Sequence, residues 1–123
     1  MGADIWLGRL DRPMGSFRDS YGSGLTTLNY LGLSYWQDLR PLLDADGTFP
    51  LERNAWLLEE LRRRVAERLV GPTAVATVTA YLAERDLRGV PALLVDVWYK
   101  HVHQLIDLLE RSTQLGVPLI MSL

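Results

Sequence analysis

Residues Ala92–Leu115, ALLVDVWYKHVHQLIDLLERSTQL, carry the longest regular pattern in the chain. Leu94, Trp98, Val102, Leu105, Leu109 and Ser112 recur at three- and four-residue spacing, and Asp96, Lys100, His103, Asp107 and Arg111 fall on the opposite side. That period is the signature of an amphipathic helix with one buried stripe. Gly89 and Pro91 precede it and Gly116 follows, so both ends carry boundary residues.

Leu51–Leu69 repeats the pattern, with Ala55, Leu58, Leu61, Val65 and Leu69 as the predicted stripe and Glu59–Arg63 and Glu60–Arg64 as i,i+4 pairs outside it. Pro50 suits the first helical position. Gly71-Pro72 stops this helix, and Thr73 caps the next, which runs to about Asp86 and buries Val75, Val78, Tyr81 and Leu82. Nearer the N-terminus the regularity fades. Ser23 is placed to cap a short helix over Gly24–Leu31 that Gly32 closes. Ser34 and Gln37 have capping-box spacing, and Pro41 is expected to kink or break the helix they open by disfavouring the helical region at Arg40. Asp44–Gly47 reads as a turn.

The chain ends differ in kind. Asp4–Leu10 alternates like a strand, and Pro13 and Gly15 mark a turn after it. Val117–Leu123 is an apolar extended tail, which needs a partner to leave water. The two ends are therefore expected to pair. The predicted fold is mainly α: one domain over residues 1–123, of four to five helices, with a small two-stranded sheet formed by the N- and C-terminal segments.

Hydrophobic residues make up 48% of the 123, enough to supply a core without covalent staples. The chain has no cysteine, which excludes disulfides, thiolate metal sites and cysteine nucleophiles. A net charge of -2 gives no electrostatic footprint for nucleic acid. No apolar run reaches the ~18 residues of a membrane span. The N-terminus lacks a basic segment followed by an apolar one. These features lead us to expect a cytoplasmic protein with neither membrane nor nucleic acid as partner.

Functional chemistry concentrates in Phe17–Gly24, read as a polar loop punctuated by glycine. Arg18 can fork onto a carboxylate or phosphate, Asp19, Ser20 and Tyr21 add acceptors and hydroxyls, and Gly22 and Gly24 permit close approach to the backbone. Tyr35 and Trp36, with Tyr30 nearby, supply aromatic faces on which a planar ring such as a nucleobase can stack. Arg18, Asp19, Ser20, Tyr21, Tyr35 and Trp36 form the predicted ligand-binding set. The competing architectural reading pairs Arg18 with Asp19 or Asp4 and puts Tyr30 and Trp36 in the core.

Other candidates resolve to ordinary structure. His101 and His103 are two apart on a helix and point in different directions, so they cannot share a metal. His103 and Asp107 lack a third ligand at suitable spacing. Asp44-Ala-Asp-Gly47 begins like a calcium loop, but Ala55 stands where the bidentate glutamate belongs. Arg62-Arg63-Arg64 is neutralised by Glu59, Glu60 and Glu67. No nucleophile elbow or phosphate-binding loop is present. No catalytic residue, metal or cofactor is predicted.

Met1-Gly-Ala-Asp-Ile5, Phe17-Arg-Asp-Ser-Tyr21, Leu31-Gly-Leu-Ser-Tyr-Trp36 and, at the close, Leu115-Gly-Val-Pro-Leu119 with Ser122-Leu123 resemble a family of small uncharacterised proteins from phages and bacteria. The resemblance covers about the first forty residues and the last ten. The chain departs from the pattern at Ser16, Gly22 and Met121, where an aromatic, an asparagine and a cysteine are expected. The resemblance implies a phage or prophage origin and no particular activity.

The expected function is a non-enzymatic binding protein for a small polar or anionic, nucleotide-like ligand or for a host protein, with an anti-defence role as one form. The alternatives are a structural protein that forms a homodimer or larger homo-oligomer through the Ala92–Leu115 seam, and a small hydrolase using Asp19 with Ser20 or His103.

Overall fold

The computed structural model describes residues 2–8, 15–20 and 26–123. Its elements follow in the order β1 (Gly2–Leu7), β2 (Gly15–Ser20), α1 (Thr27–Tyr30), β3 (Thr48–Phe49), α2 (Asn54–Arg68), α3 (Ala74–Glu84), α4 (Pro91–Leu115) and β4 (Leu119–Ser122). A π-helical turn at Tyr35–Leu39 and 3₁₀ turns at Arg40–Leu42 and Leu51–Arg53 link them.

The long period becomes α4. Trp98, Val102, Leu105, Leu109 and Ser112 are buried and Leu94 is partly buried, as the stripe requires. This seam packs against α2, α3 and the sheet within one chain, so it does not supply the self-association surface expected of it. Gly116 ends the helix at φ +65, the left-handed conformation that glycine adopts without a Cβ clash.

On α2 the buried stripe is Asn54, Leu57, Leu58, Leu61, Val65 and Leu69; Ala55 is exposed. The offset accompanies Asn54, whose Nδ2 finds acceptors inside, donating to Ser112 Oγ at 2.9 Å and Thr113 Oγ1 at 3.2 Å. Pro50 sits outside the 3₁₀ turn as its cap, at ψ 134. Arg63 pairs with Glu60 and Glu67 instead of Glu59, whereas Arg64–Glu60 forms as expected. On α3, Ala74 takes the buried place expected of Val75, which is exposed. Thr73 stands at the cap position but its side chain makes no capping hydrogen bond.

The sheet is larger than two strands. Its order is β2-β1-β4-β3, and every neighbouring pair is antiparallel. The expected meeting of the ends is the central β1–β4 ladder, with Ile5 opposite Met121 and Leu7 opposite Leu119. Phe17–Ser20, read as loop, is strand β2; Phe17 and Asp19 turn inward and Arg18 outward, the alternation of a strand. Thr48–Phe49 adds β3, held by the Asp44–Gly47 turn, in which Gly47 N–H donates to Asp44 O.

One face of the sheet packs on the helices. Ala3, Ile5, Leu7, Phe17, Phe49, Leu119 and Met121 are buried there and join the helical core. Asp4, Trp6, Ser16, Arg18, Ile120 and Ser122 alternate with them and point the other way, as in an antiparallel sheet with one solvated face. Both edges are blunted. β3 is two residues long, and on β2 the outward carbonyl of Arg18 accepts a hydrogen bond from His101 Nε2 of α4 at 2.6 Å.

Helix α1 is shorter than the predicted Gly24–Leu31 segment, and Gly32 closes it at φ +79; Ser23, Gly24 and Leu25, like Pro13, lie outside the described residues. Ser34 Oγ accepts from Gln37 N–H at 3.1 Å, but the reciprocal bond comes from Asp38, whose Oδ2 accepts Ser34 N–H at 2.7 Å. The ladder changes from π to 3₁₀ at Arg40, which itself stays in the right-handed helical region, at φ -55.

Candidate functional site

The β1–β2 register separates the predicted site residues by strand parity. Arg18 stands opposite Asp4 on the outer face and meets it through Nε, 3.3 Å from Asp4 Oδ1. The Arg18 side chain is 81% exposed and that of Asp4 48%. Among the described residues neither terminal nitrogen of Arg18 has a side-chain partner, so the fork is open to a ligand.

Asp19 lies on the buried face. It accepts the Tyr35 hydroxyl at 2.6 Å, a contact between β2 and the π turn that spans the core. The π turn brings Tyr35 and Leu39 inward together and leaves Trp36 outside, 47% exposed, with the Arg40 guanidinium 4.2 Å from its ring centroid. Arg18, the Asp19–Tyr35 pair and Trp36 thus occupy three different places. Ser20 ends β2 opposite Gly2. Tyr21, Gly22 and Gly24 lie outside the described residues. Tyr30 is core: it stacks on Trp98 at 4.6 Å, donates to Arg68 O at 2.7 Å, and burial pushes its phenol above the ordinary tyrosine range.

Around Arg18 the same register assembles a different set. Asp4 lies between Arg18 on β2 and Ser122 on β4; Trp6 lies between Ser16 and Ile120. These two rows border an open hollow of about 480 Å³ lined by Asp4, Trp6, Ser16, Arg18 and Ser122. Ile5 and Phe17 bury their side chains on the other face, so they contribute backbone to its floor. The Trp6 indole nitrogen is shielded and has no hydrogen-bond partner among the described residues, so Trp6 presents ring surface at this site. A guanidinium, a carboxylate, two hydroxyls and an indole therefore face one concavity. Trp6, Ser16 and Ser122 escaped the sequence reading because only strand register places them beside Arg18; the strand parity of Asp4 and Trp6 was the available signal.

A second hollow, of about 450 Å³, lies beside the π turn and is lined by Asn29, Ser34, Gln37, Asp38 and Arg85 among others. Its charged groups make contacts of their own. Asp38 holds the Ser34 N–H, and Arg85 lies 4.1 Å over the Tyr81 ring with Glu84 at 3.6 Å.

The histidines do structural work. His101 stacks on Phe17 at 4.4 Å, and its Nδ1 lies 2.7 Å from Thr27 Oγ1 while Nε2 bonds Arg18 O. A carbonyl only accepts, so Nε2 carries a proton, and in the neutral ring Nδ1 accepts from the Thr27 hydroxyl. His103 donates from Nδ1 to Tyr99 O, 2.7 Å away on its own helix. No group of three or more metal-ligating side chains gathers among the described residues. None of the helices described is long and apolar enough to cross a membrane.

Comparison with family models, with curated proteins and with solved structures gives no match.

Proposed function

We propose that this chain is a non-enzymatic binding protein that takes a small polar or charged ligand on the open face of its sheet, with Arg18 as the anchor. The observation that carries this reading is the Arg18 fork, whose terminal nitrogens meet no side chain among the described residues, beside Trp6, Ser16 and Ser122 in one hollow. Asp19 and Tyr35 serve the site indirectly, by bracing β2 from beneath. The resemblance of the terminal segments to phage and bacterial proteins supports a phage or prophage setting, in which such a protein sequesters a signal molecule or blocks a host enzyme.

The test is a thermal-shift screen with small anions, nucleotides and amino acids. A hit is expected to raise the melting temperature of the wild-type chain and not that of Arg18→Ala. Equal stabilisation of both proteins by every hit contradicts the proposal.

A second reading has its own support. Val90, which precedes α4, and Leu93 and Val97 on it are exposed outside the buried seam. Self-association through this strip predicts a mass that rises with concentration in light scattering; a constant monomer mass removes it.

A further inference from the structure

We infer that the ligand of the sheet-face hollow is a zwitterion carrying an apolar or aromatic side chain, of the chemical class of a free α-amino acid. The inference rests on the proposed site and narrows what it holds. Its basis is the charge of the hollow. Arg18 does not stand alone there: the Asp4 carboxylate is 3.3 Å from its Nε, so the charged end of the hollow is a dipole with no net charge.

That dipole discriminates between ligand classes. A phosphate or dicarboxylate that reaches the Arg18 fork brings like charge against Asp4, and the repulsion offsets the attraction at comparable range. A simple cation meets the converse problem at Arg18. A zwitterion gains at both. In an α-amino acid the ammonium nitrogen and the carboxylate carbon share one carbon and lie ~2.5 Å apart. Asp4 and Arg18 meet at Oδ1 and Nε, 3.3 Å apart, so the two side chains stand side by side where both charged groups of one such molecule can reach them. Asp4 engages Arg18 through Oδ1 alone, and among the described residues Oδ2 has no bonding partner, so it can accept from an ammonium. The two terminal nitrogens of Arg18 can grip a carboxylate side by side.

The rest of the hollow suits the remainder of such a molecule. Trp6 lies diagonally across the β1–β2 pair from Arg18, because Trp6 faces Ser16 and Asp4 faces Arg18. Diagonal neighbours lie ~7–8 Å apart, a separation that long and aromatic side chains bridge. A side chain leaving the α-carbon therefore reaches the Trp6 ring across the small Ser16.

The test is calorimetry on the full chain with four probes: L-phenylalanine, 3-phenylpropionate, phenethylamine and adenosine monophosphate. 3-Phenylpropionate lacks the ammonium and phenethylamine lacks the carboxylate. L-Phenylalanine is expected to bind about tenfold tighter than either, the factor for one charge-assisted bond of ~1.4 kcal/mol. Arg18→Gln and Asp4→Asn are each expected to bring it down to the level of the single-charge probes. Asp4→Asn is also expected to strengthen adenosine monophosphate. Both residues are surface residues, and an unchanged circular dichroism spectrum verifies the fold of each variant.

If 3-phenylpropionate or adenosine monophosphate binds as tightly as L-phenylalanine, and loses that binding in Arg18→Gln, the zwitterion inference is overturned while the sheet-face site stands. If no probe binds, or if every probe binds both variants as it binds the wild type, the inference and the site reading fall together.

Discussion

Replacing Tyr35 with phenylalanine removes one oxygen from the core and nothing else. That oxygen donates to Asp19 Oδ2 at 2.6 Å between two buried residues. Its loss leaves a carboxylate oxygen without this donor in a place water does not reach. A hydrogen bond to a charged group contributes about 1.5–3 kcal/mol, against about 0.5–1.5 kcal/mol for a neutral one. For a chain of this size each kcal/mol shifts the melting temperature by roughly 3–5 °C. Tyr35→Phe is therefore expected to melt ~5–15 °C below wild type. Tyr30→Phe is the internal control. Its hydroxyl donates to the neutral Arg68 carbonyl at 2.7 Å, so its loss is expected to cost about half as much. Urea titration of the three proteins gives the two free energies, and an unchanged m-value shows that compactness is preserved. If Tyr35→Phe lies within ~0.5 kcal/mol of wild type, or costs less than Tyr30→Phe, the Asp19–Tyr35 pair is not the brace described here.

Leu105→Ala empties the centre of the α4 stripe, where Leu105 is fully buried; it is expected to cost about 2–5 kcal/mol by urea titration. Gly32→Ala puts a Cβ at φ +79 and 2.9 Å from the flexible end of Arg64; the backbone strain is expected to cost ~1–2 kcal/mol, seen as a lower urea midpoint. Hydrogen bonds from Arg64 and then Arg63 hold the Glu60 carboxyl below its ordinary value. A depressed folded pKa contributes stability above the unfolded value and loses it as pH falls through the folded one. Melting curves of wild type and Glu60→Gln are therefore expected to differ at neutral pH and converge in acid; a gap that persists unchanged in acid contradicts the ion-pair account.

The helical half was legible because its burial repeats at the period of the helix. Trp98 through Ser112 needed no tertiary information. Asn54 and Ala55 exchange places because a buried asparagine depends on acceptors 58 and 59 residues away, on Ser112 and Thr113. β2 read as a loop for the same reason. Asp19 breaks the apolar alternation, and the Tyr35 hydroxyl that makes its burial tolerable comes from a separate turn. β3 is two residues long, too short for any period to register. Within the site, Arg18 was legible from its chemistry alone. Its neighbours were not, because Asp4, Trp6, Ser16 and Ser122 meet only through the pairing of three strands drawn from both ends of the chain.

Ligand binding on the open face of the sheet can be followed residue by residue. The most direct measurement is an amide chemical-shift map of the full chain, titrated with the best hit of the thermal-shift screen. Perturbations are expected to cluster at Asp4, Trp6, Ser16, Arg18 and Ser122 and to be absent in Arg18→Ala. Perturbations clustered instead at Asn29, Ser34, Gln37 and Arg85, around the hollow beside the π turn, contradict binding on the sheet face.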